Sequence, residues 1–124
     1  MMKQPDLIER TKRFALAVME LCEALPAGAV GWNLSKQLMR SGTSIGANYR
    51  ESQRARTKPE FVSKIAICQQ EAAETVYWLD LVLEYRWPGF TVPVAAKSLA
   101  NEAYELCLIF SAIGTKAAAS LGAK

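Results

Sequence analysis

The 124-residue sequence contains no histidine. That removes the side chain best suited to proton transfer near neutral pH, the Ser-His and Cys-His nucleophile pairs, and every imidazole metal site. A Glu-x-x-His di-iron bundle is excluded for the same reason. No C-x-x-C pair exists: Cys22, Cys68 and Cys107 stand 46 and 39 positions apart, which argues against zinc. A phosphate-binding glycine loop is missing too, because Gly42-x-x-x-Gly46 is not followed by Lys-Ser/Thr. Ser35 and Lys36 are adjacent and point in different directions, so they form no nucleophile pair. No run alternates long enough for a strand. No window approaches 18 uncharged apolar residues, and the N-terminal stretch lacks a secretory apolar core, so neither a membrane span nor an export signal is predicted. An odd number of thiols in such a chain reads as reduced and cytoplasmic. These absences predict a protein that is not an enzyme and carries no cofactor and no metal.

What is present is a chain of ordinary globular composition, 51% hydrophobic and 22% charged, sized for a single domain over residues 1–124. Breaks at Pro26–Gly31, Ala55–Lys58 and Trp87–Pro93 separate four helical stretches, at about residues 6–25, 32–54, 58–86 and 93–121. Asp6 is the expected cap of the first, whose apolar face carries Leu7, Phe14, Val18, Leu21 and Leu25. The second buries Leu34, Leu38, Ser41, Ile45, Asn48 and Tyr49. Thr57 and Glu60 have capping-box spacing ahead of the third, with Pro59 in its first turn. Its stripe is Phe61, Ile65, Cys68, Ala72, Val76, Leu79 and Leu83; that of the fourth is Leu99, Ala103, Leu106, Phe110 and Ile113. Short connections favour antiparallel neighbours. The expected fold is all-α, an antiparallel up-down-up-down four-helix bundle.

Three features exceed what a plain bundle requires. Residues 36–64 hold seven basic side chains against two acidic ones, a net +5, while the rest of the chain is −2. On the second helix Lys36, Arg50 and Arg54 fall opposite the core with Arg40 on the flank, and Arg56 and Lys58 extend the line past the turn. This ridge runs about 27 Å from Lys36 to Arg54. It reads either as a solvated face or as a track for phosphates. Aromatic residues do not interleave with these cations, so phosphate and shape, rather than base stacking, would be recognised.

The second feature is a stripe of polar residues, Ser41, Ser44, Asn48 and Glu51, for which the third helix offers Gln69, Glu71, Glu74 and Thr75 as partners. An internal hydrogen-bond network that fixes register is the expectation. Gly42 and Gly46 share a side where another helix can approach closely. The third feature is the far side of the third helix, where Ile67, Trp78, Leu81 and Tyr85 cluster. They form an oligomer interface, with Leu16, Met19, Tyr104 and Leu108 as the opposing surface, or else the 87–93 loop covers them with Trp87 and Phe90. The cysteines read as buried small hydrophobes.

The run Gln37-Leu38-Met39-Arg40-Ser41-Gly42-Thr43-Ser44-Ile45-Gly46-Ala47-Asn48-Tyr49-Arg50-Glu51 resembles the family of the 23S rRNA intervening-sequence protein, also labelled S23 ribosomal proteins. Gln37, Leu38, Arg40, Ser41, Ser44, Ile45, Asn48 and Glu51 match the family pattern. The Glu60-Phe61 pair and the run from Glu71 to Leu79 resemble one branch of it, and Ser52 stands where many members have glycine. The resemblance spans about residues 10–115. It implies a four-helix bundle assembled as a homopentamer, with no catalytic residues to carry over. The accessory variability protein of diversity-generating retroelements is similar in form and binds nucleic acid and a reverse transcriptase. The combined expectation is a non-catalytic homo-oligomer that binds structured RNA through the basic ridge. The alternative is a scaffold for an RNA-handling protein such as a reverse transcriptase, without direct nucleic-acid contact.

Overall fold

The computed structural model describes residues 6–122. They form four helices, α1 (Leu7–Ala24), α2 (Ala29–Ser52), α3 (Lys58–Glu84) and α4 (Ala95–Gly122), and no strand among the described residues. The result is an all-α four-helix bundle. Packing follows chain order: α1 on α2, α2 on α3, α3 on α4, while α1 and α4 meet only sparsely.

Local chemistry sets the helix ends. Asp6 Oδ1 accepts from the amides of Ile8 (3.1 Å) and Glu9 (3.2 Å), capping α1. Gly28 turns the chain at φ 128°, and its carbonyl accepts from the Trp32 amide at 2.9 Å, closing the first turn of α2. The helix therefore begins about three residues earlier than the sequence suggests. Its end comes two residues sooner, because the Arg54 and Ala55 amides turn back onto the Glu51 and Ser52 carbonyls. Thr57 Oγ1 accepts from the Glu60 amide at 3.2 Å, one half of the expected capping box. The other half is displaced by one residue: Glu60 Oε1 accepts from the Arg56 amide at 3.0 Å. α4 starts after Pro93, whose carbonyl takes the Ala96 amide.

The core draws on all four helices. Phe14, Val18, Leu38, Ile45, Ile65, Leu79, Leu106 and Phe110 are buried. Each such side chain contributes about 1.5–3 kcal/mol over its exposed state. The Tyr49 ring lies 5.6 Å from that of Phe110, joining α2 to α4. The expected α1 face is buried in full. On α2, Asn48 and Tyr49 are only half-buried. On α3 the buried face is rotated from the expected stripe. Thr75 and Val82 are buried, while Phe61, Val76 and Leu83 are half-buried. The rotation has a polar cause: the Thr75 and Ser41 hydroxyls are hydrogen-bonded at 2.8 Å in the α2–α3 seam, and Thr75 Oγ1 also lies 2.7 Å from the Glu71 carbonyl.

α4 departs from expectation in another way. Among the described residues it is the one helix long and apolar enough, by length and composition, to cross a membrane. Its inner stripe lies in the bundle core, and Glu102 and Glu105 pair with Arg10 of α1. Much of its remaining apolar surface faces outward, including Tyr104 and Leu108.

The glycine pair does what its spacing suggests, and the approaching helix is α1. A Cβ on Gly42 would stand 3.0 Å from Val18 Cγ1, and one on Gly46 2.9 Å from Thr11 Oγ1 and 3.2 Å from Thr11 Cβ. Thr11 is buried and its hydroxyl donates to the Leu7 carbonyl at 2.6 Å, so it has little room to yield. Gly31 is tighter still: a Cβ there would sit 1.7 Å from the Pro26 carbonyl oxygen. Gly46→Ala gains about 1 kcal/mol of helix propensity but overpacks a close-packed seam at a cost of about 1–3 kcal/mol. Urea unfolding should rank wild type above Gly46→Ala and Gly46→Ala above Gly31→Ala; a more stable Gly31→Ala protein would refute the close approach.

Cys68 is fully buried, and burial pushes its thiol from 9.0 up to about 12. The folded state keeps a proton that the unfolded chain releases above pH about 9. Unfolding is therefore favoured as pH rises from 9 toward 12, by at most about 1.4 kcal/mol per pH unit. Cys68→Ala should lose less stability than wild type between pH 8 and pH 10. Equal losses in equilibrium unfolding would exclude the thiol as the cause.

Candidate nucleic-acid interface

Burial of the Leu34–Leu38–Ile45 side of α2 leaves its opposite side to solvent. Lys36, Arg40, Arg50, Arg54, Arg56 and Lys58 are all exposed. Their electrostatic states differ. Lys36, Arg50, Arg54 and Arg56 have no acidic partner within salt-bridge distance among the described residues. Lys58 Nζ donates to Ser120 Oγ, a neutral partner, at 2.6 Å. Arg40 is engaged: Nη1 lies 3.3 Å from Glu71 Oε1, and Nη2 donates to Glu74 and Gln37. The Glu74 hydrogen bond is the main reason its guanidinium is held further into the charged form.

The continuous ridge expected from the sequence is thus interrupted. An exposed ion pair contributes at most about 1 kcal/mol, so Arg40 can be recruited by an anion. The two carboxylates beside it would still repel a phosphate there. Free cations gather at two places, Lys36 near the start of α2 and the Arg50–Arg54–Arg56 group at its end.

The polar residues grouped as one network separate into four sets. Ser41 pairs with Thr75 in the buried seam. Ser44 donates to the Arg40 carbonyl and Asn48 to the Ser44 carbonyl, bonds within α2 itself. Glu51 accepts from Lys64 Nζ at 2.7 Å, while Glu71 and Glu74 hold Arg40. That hydrogen bond to Glu51 raises the Lys64 pKa.

The expected interface residues are also partly covered by their own chain. Ile67, Trp78 and Leu81 are half-buried, and Trp78 and Leu81 pack against the core. Trp87 Nε1 donates to the Val82 carbonyl at 2.9 Å, its ring meets Tyr85 edge-on at 4.8 Å, and Phe90 follows at 5.9 Å. The 87–93 loop does fold back over the end of α3. Tyr85 stays 42% exposed, and Tyr77 55%. A groove of about 480 Å³ runs between Val30 and Leu34 of α2 and Leu81 and Tyr85 at the end of α3. Leu16, Met19, Tyr104 and Leu108 are exposed as expected.

Sequence reasoning missed Trp32. It is 70% exposed, one turn before Lys36. The signal was its spacing: counted from Ile45 at 100° per residue, Trp32 falls on the side that carries Thr43 and Arg50. An aromatic ring does accompany the basic face, at one end of it.

Fold and surface together define a helical bundle whose exposed charge is predominantly basic along one helix, with no cluster of three potential metal-ligating side chains among the described residues. The family model of the 23S rRNA-intervening sequence protein matches residues 3–107. The chain belongs to that family. It is also similar to the crystal structure of a protein of unknown function from the S23 ribosomal protein family of Bacteroides thetaiotaomicron VPI-5482. The two share 31% identity with a TM-score of 0.69, over 87% of this chain and 97% of the other. No curated protein matches the chain.

Proposed function

We propose that the protein is a non-catalytic RNA-binding protein that works as a homo-oligomer of up-down-up-down bundles. The observation that carries this reading is the set of exposed cations without acidic partners, Lys36, Arg50, Arg54 and Arg56, on α2 and the turn after it. Membership of a family named for an rRNA intervening sequence favours RNA as the polyanion. Phosphate contacts dominate such binding and make it salt-sensitive. One subunit offers only a few contacts, so useful affinity calls for several subunits on one RNA.

Two apolar surfaces support assembly. One is the α2–α3 groove with Val30, Leu81 and Tyr85; the other is on the outer faces of α1 and α4, with Leu16, Met19, Tyr104 and Leu108. Because they differ, docking one onto the other is head-to-tail, and such contacts close into a ring when the rotation between subunits divides a full turn. The pentamer implied by the resemblance is one such ring. The same groove favours a second reading, a scaffold that holds an RNA-handling protein such as a reverse transcriptase.

Exchange of Arg50 and Arg54 for glutamate should reduce RNA binding by at least about tenfold at moderate salt while circular dichroism stays unchanged. Undiminished binding in an anisotropy titration would overturn the assignment of RNA to these cations; a wild type that binds no RNA would falsify the RNA reading, and capture of a protein partner that survives nuclease would then favour the scaffold. Light scattering in line with gel filtration should give a single mass at a multiple of 13.7 kDa. A clean monomer at tens of micromolar sinks the assembly.

A further inference from the structure

The last turn of α2 and the first turns of α3 enclose an open cleft of about 520 Å³, lined by Glu51, Arg54, Arg56, Glu60 and Lys64. We propose that this corner is the seat of a single phosphate group of the bound RNA, gripped by Arg54 and Arg56 together. The inference rests on the RNA-binding reading and narrows it from a face of α2 to one site.

Of the two acids in the cleft, Glu51 is paired with a cation, while Glu60 is held by a neutral amide and keeps a net charge that the three cations outnumber. Glu51 holds Lys64 Nζ at 2.7 Å, and Glu60 Oε1 accepts from the Arg56 backbone amide at 3.0 Å. Arg54 and Arg56 have no acidic partner among the described residues. Their side chains rise from a turn that is fixed at several points. The Arg54 amide donates to the Glu51 carbonyl at 3.0 Å, the Ala55 amide to the Ser52 carbonyl at 3.2 Å, and Thr57 caps α3. Two guanidinium forks rooted two residues apart on a rigid turn can each present paired N–H donors to one phosphate. Pre-ordered roots lower the entropy lost on binding.

Helix dipoles do not decide the matter. The positive start of α3 and the negative end of α2 meet at the same corner and offset each other. The Glu60 and Phe61 amides are taken by Thr57, and Pro59 has none. The seat therefore depends on side chains. Lys64 forms its outer wall, with its charge turned toward Glu51. Loss of that carboxylate would release the ammonium to the phosphate, which makes Glu51 a restraint on affinity.

The phosphate can be a monoester at the end of a strand or a diester within one, since both offer at least two free oxygens to a fork. The test uses the full chain with one RNA hairpin in two forms, 5′-phosphorylated and 5′-hydroxyl, followed by fluorescence anisotropy at several salt concentrations. The double variant Arg54→Gln/Arg56→Gln should weaken binding about tenfold and lower the salt slope by about one. Lys36→Gln should cost no more than about threefold. Glu51→Gln should tighten binding about threefold, a gain that loss of structure cannot produce. A loss confined to the phosphorylated hairpin assigns the seat to a strand end; an equal loss with both assigns it to the backbone. If the wild type binds RNA and the double variant binds equally well with intact circular dichroism, the seat is overturned while the RNA reading stands. If the wild type binds no RNA, that reading fails, and inorganic phosphate decides the seat alone. Shifts of the Arg54 and Arg56 Nε–H resonances uphold it, and their absence overturns it.

Discussion

Close approach of α1 to α2 over Gly42 and Gly46 governs the arrangement of charge. The two glycines admit Val18 and Thr11 to the backbone of α2. Ser41, on the other flank of the same apolar face, meets Thr75 of α3. With α1 against one flank and α3 against the other, the rotation of α2 about its axis is fixed. At 100° per residue, the arc left to solvent is the one that carries Lys36, Thr43, Arg50 and Arg54. The basic face is therefore a consequence of small residues on the neighbouring side, since a bulkier α1 seam would turn α2 and move its cations.

The periodicity of α1 and the glycine spacing were sufficient to place their residues, because each depends on one helix and one neighbour. The α3 stripe was not. Thr75 reads as polar in sequence, yet a hydroxyl that bonds both across the seam and back to its own helix is at home in a core. The start of α2 escaped because Gly28 acts through a positive φ, not through a capping side chain. Trp32 escaped because it stood at the expected start of the helix, where its facing was not counted.

Charge was the least legible property. Seven basic residues against two acidic ones in one segment suggested an unbroken ridge, but counting along the chain ignores the neighbouring helix. Glu71 and Glu74 lie 31 and 34 positions beyond Arg40 and meet it only because α2 and α3 are packed in this register. Lys64 likewise meets Glu51 across the corner. These pairs add little stability, since exposed ion pairs are worth at most about 1 kcal/mol. Their effect is on the field outside.

That field divides α2 in two. Lys36 and Arg50 are fourteen residues apart, about 21 Å along the axis. The Debye length at physiological salt is about 8 Å. A phosphate at the Arg50–Arg56 end is therefore screened from Lys36, and the carboxylates around Arg40 weaken the field between. The face of α2 thus presents two weakly coupled positive spots, unlike a track that follows a strand. Affinity for a polyanion must then come from repetition of the spots, either by successive subunits or by an RNA folded so that distant phosphates reach both. Under the proposed RNA reading, either route would favour the shape of the RNA over its base sequence, because these spots would read mainly the spacing of phosphates. Among the described residues of this face, the exposed indole of Trp32, beside the weaker spot, is the side chain with a ring that could stack on a base.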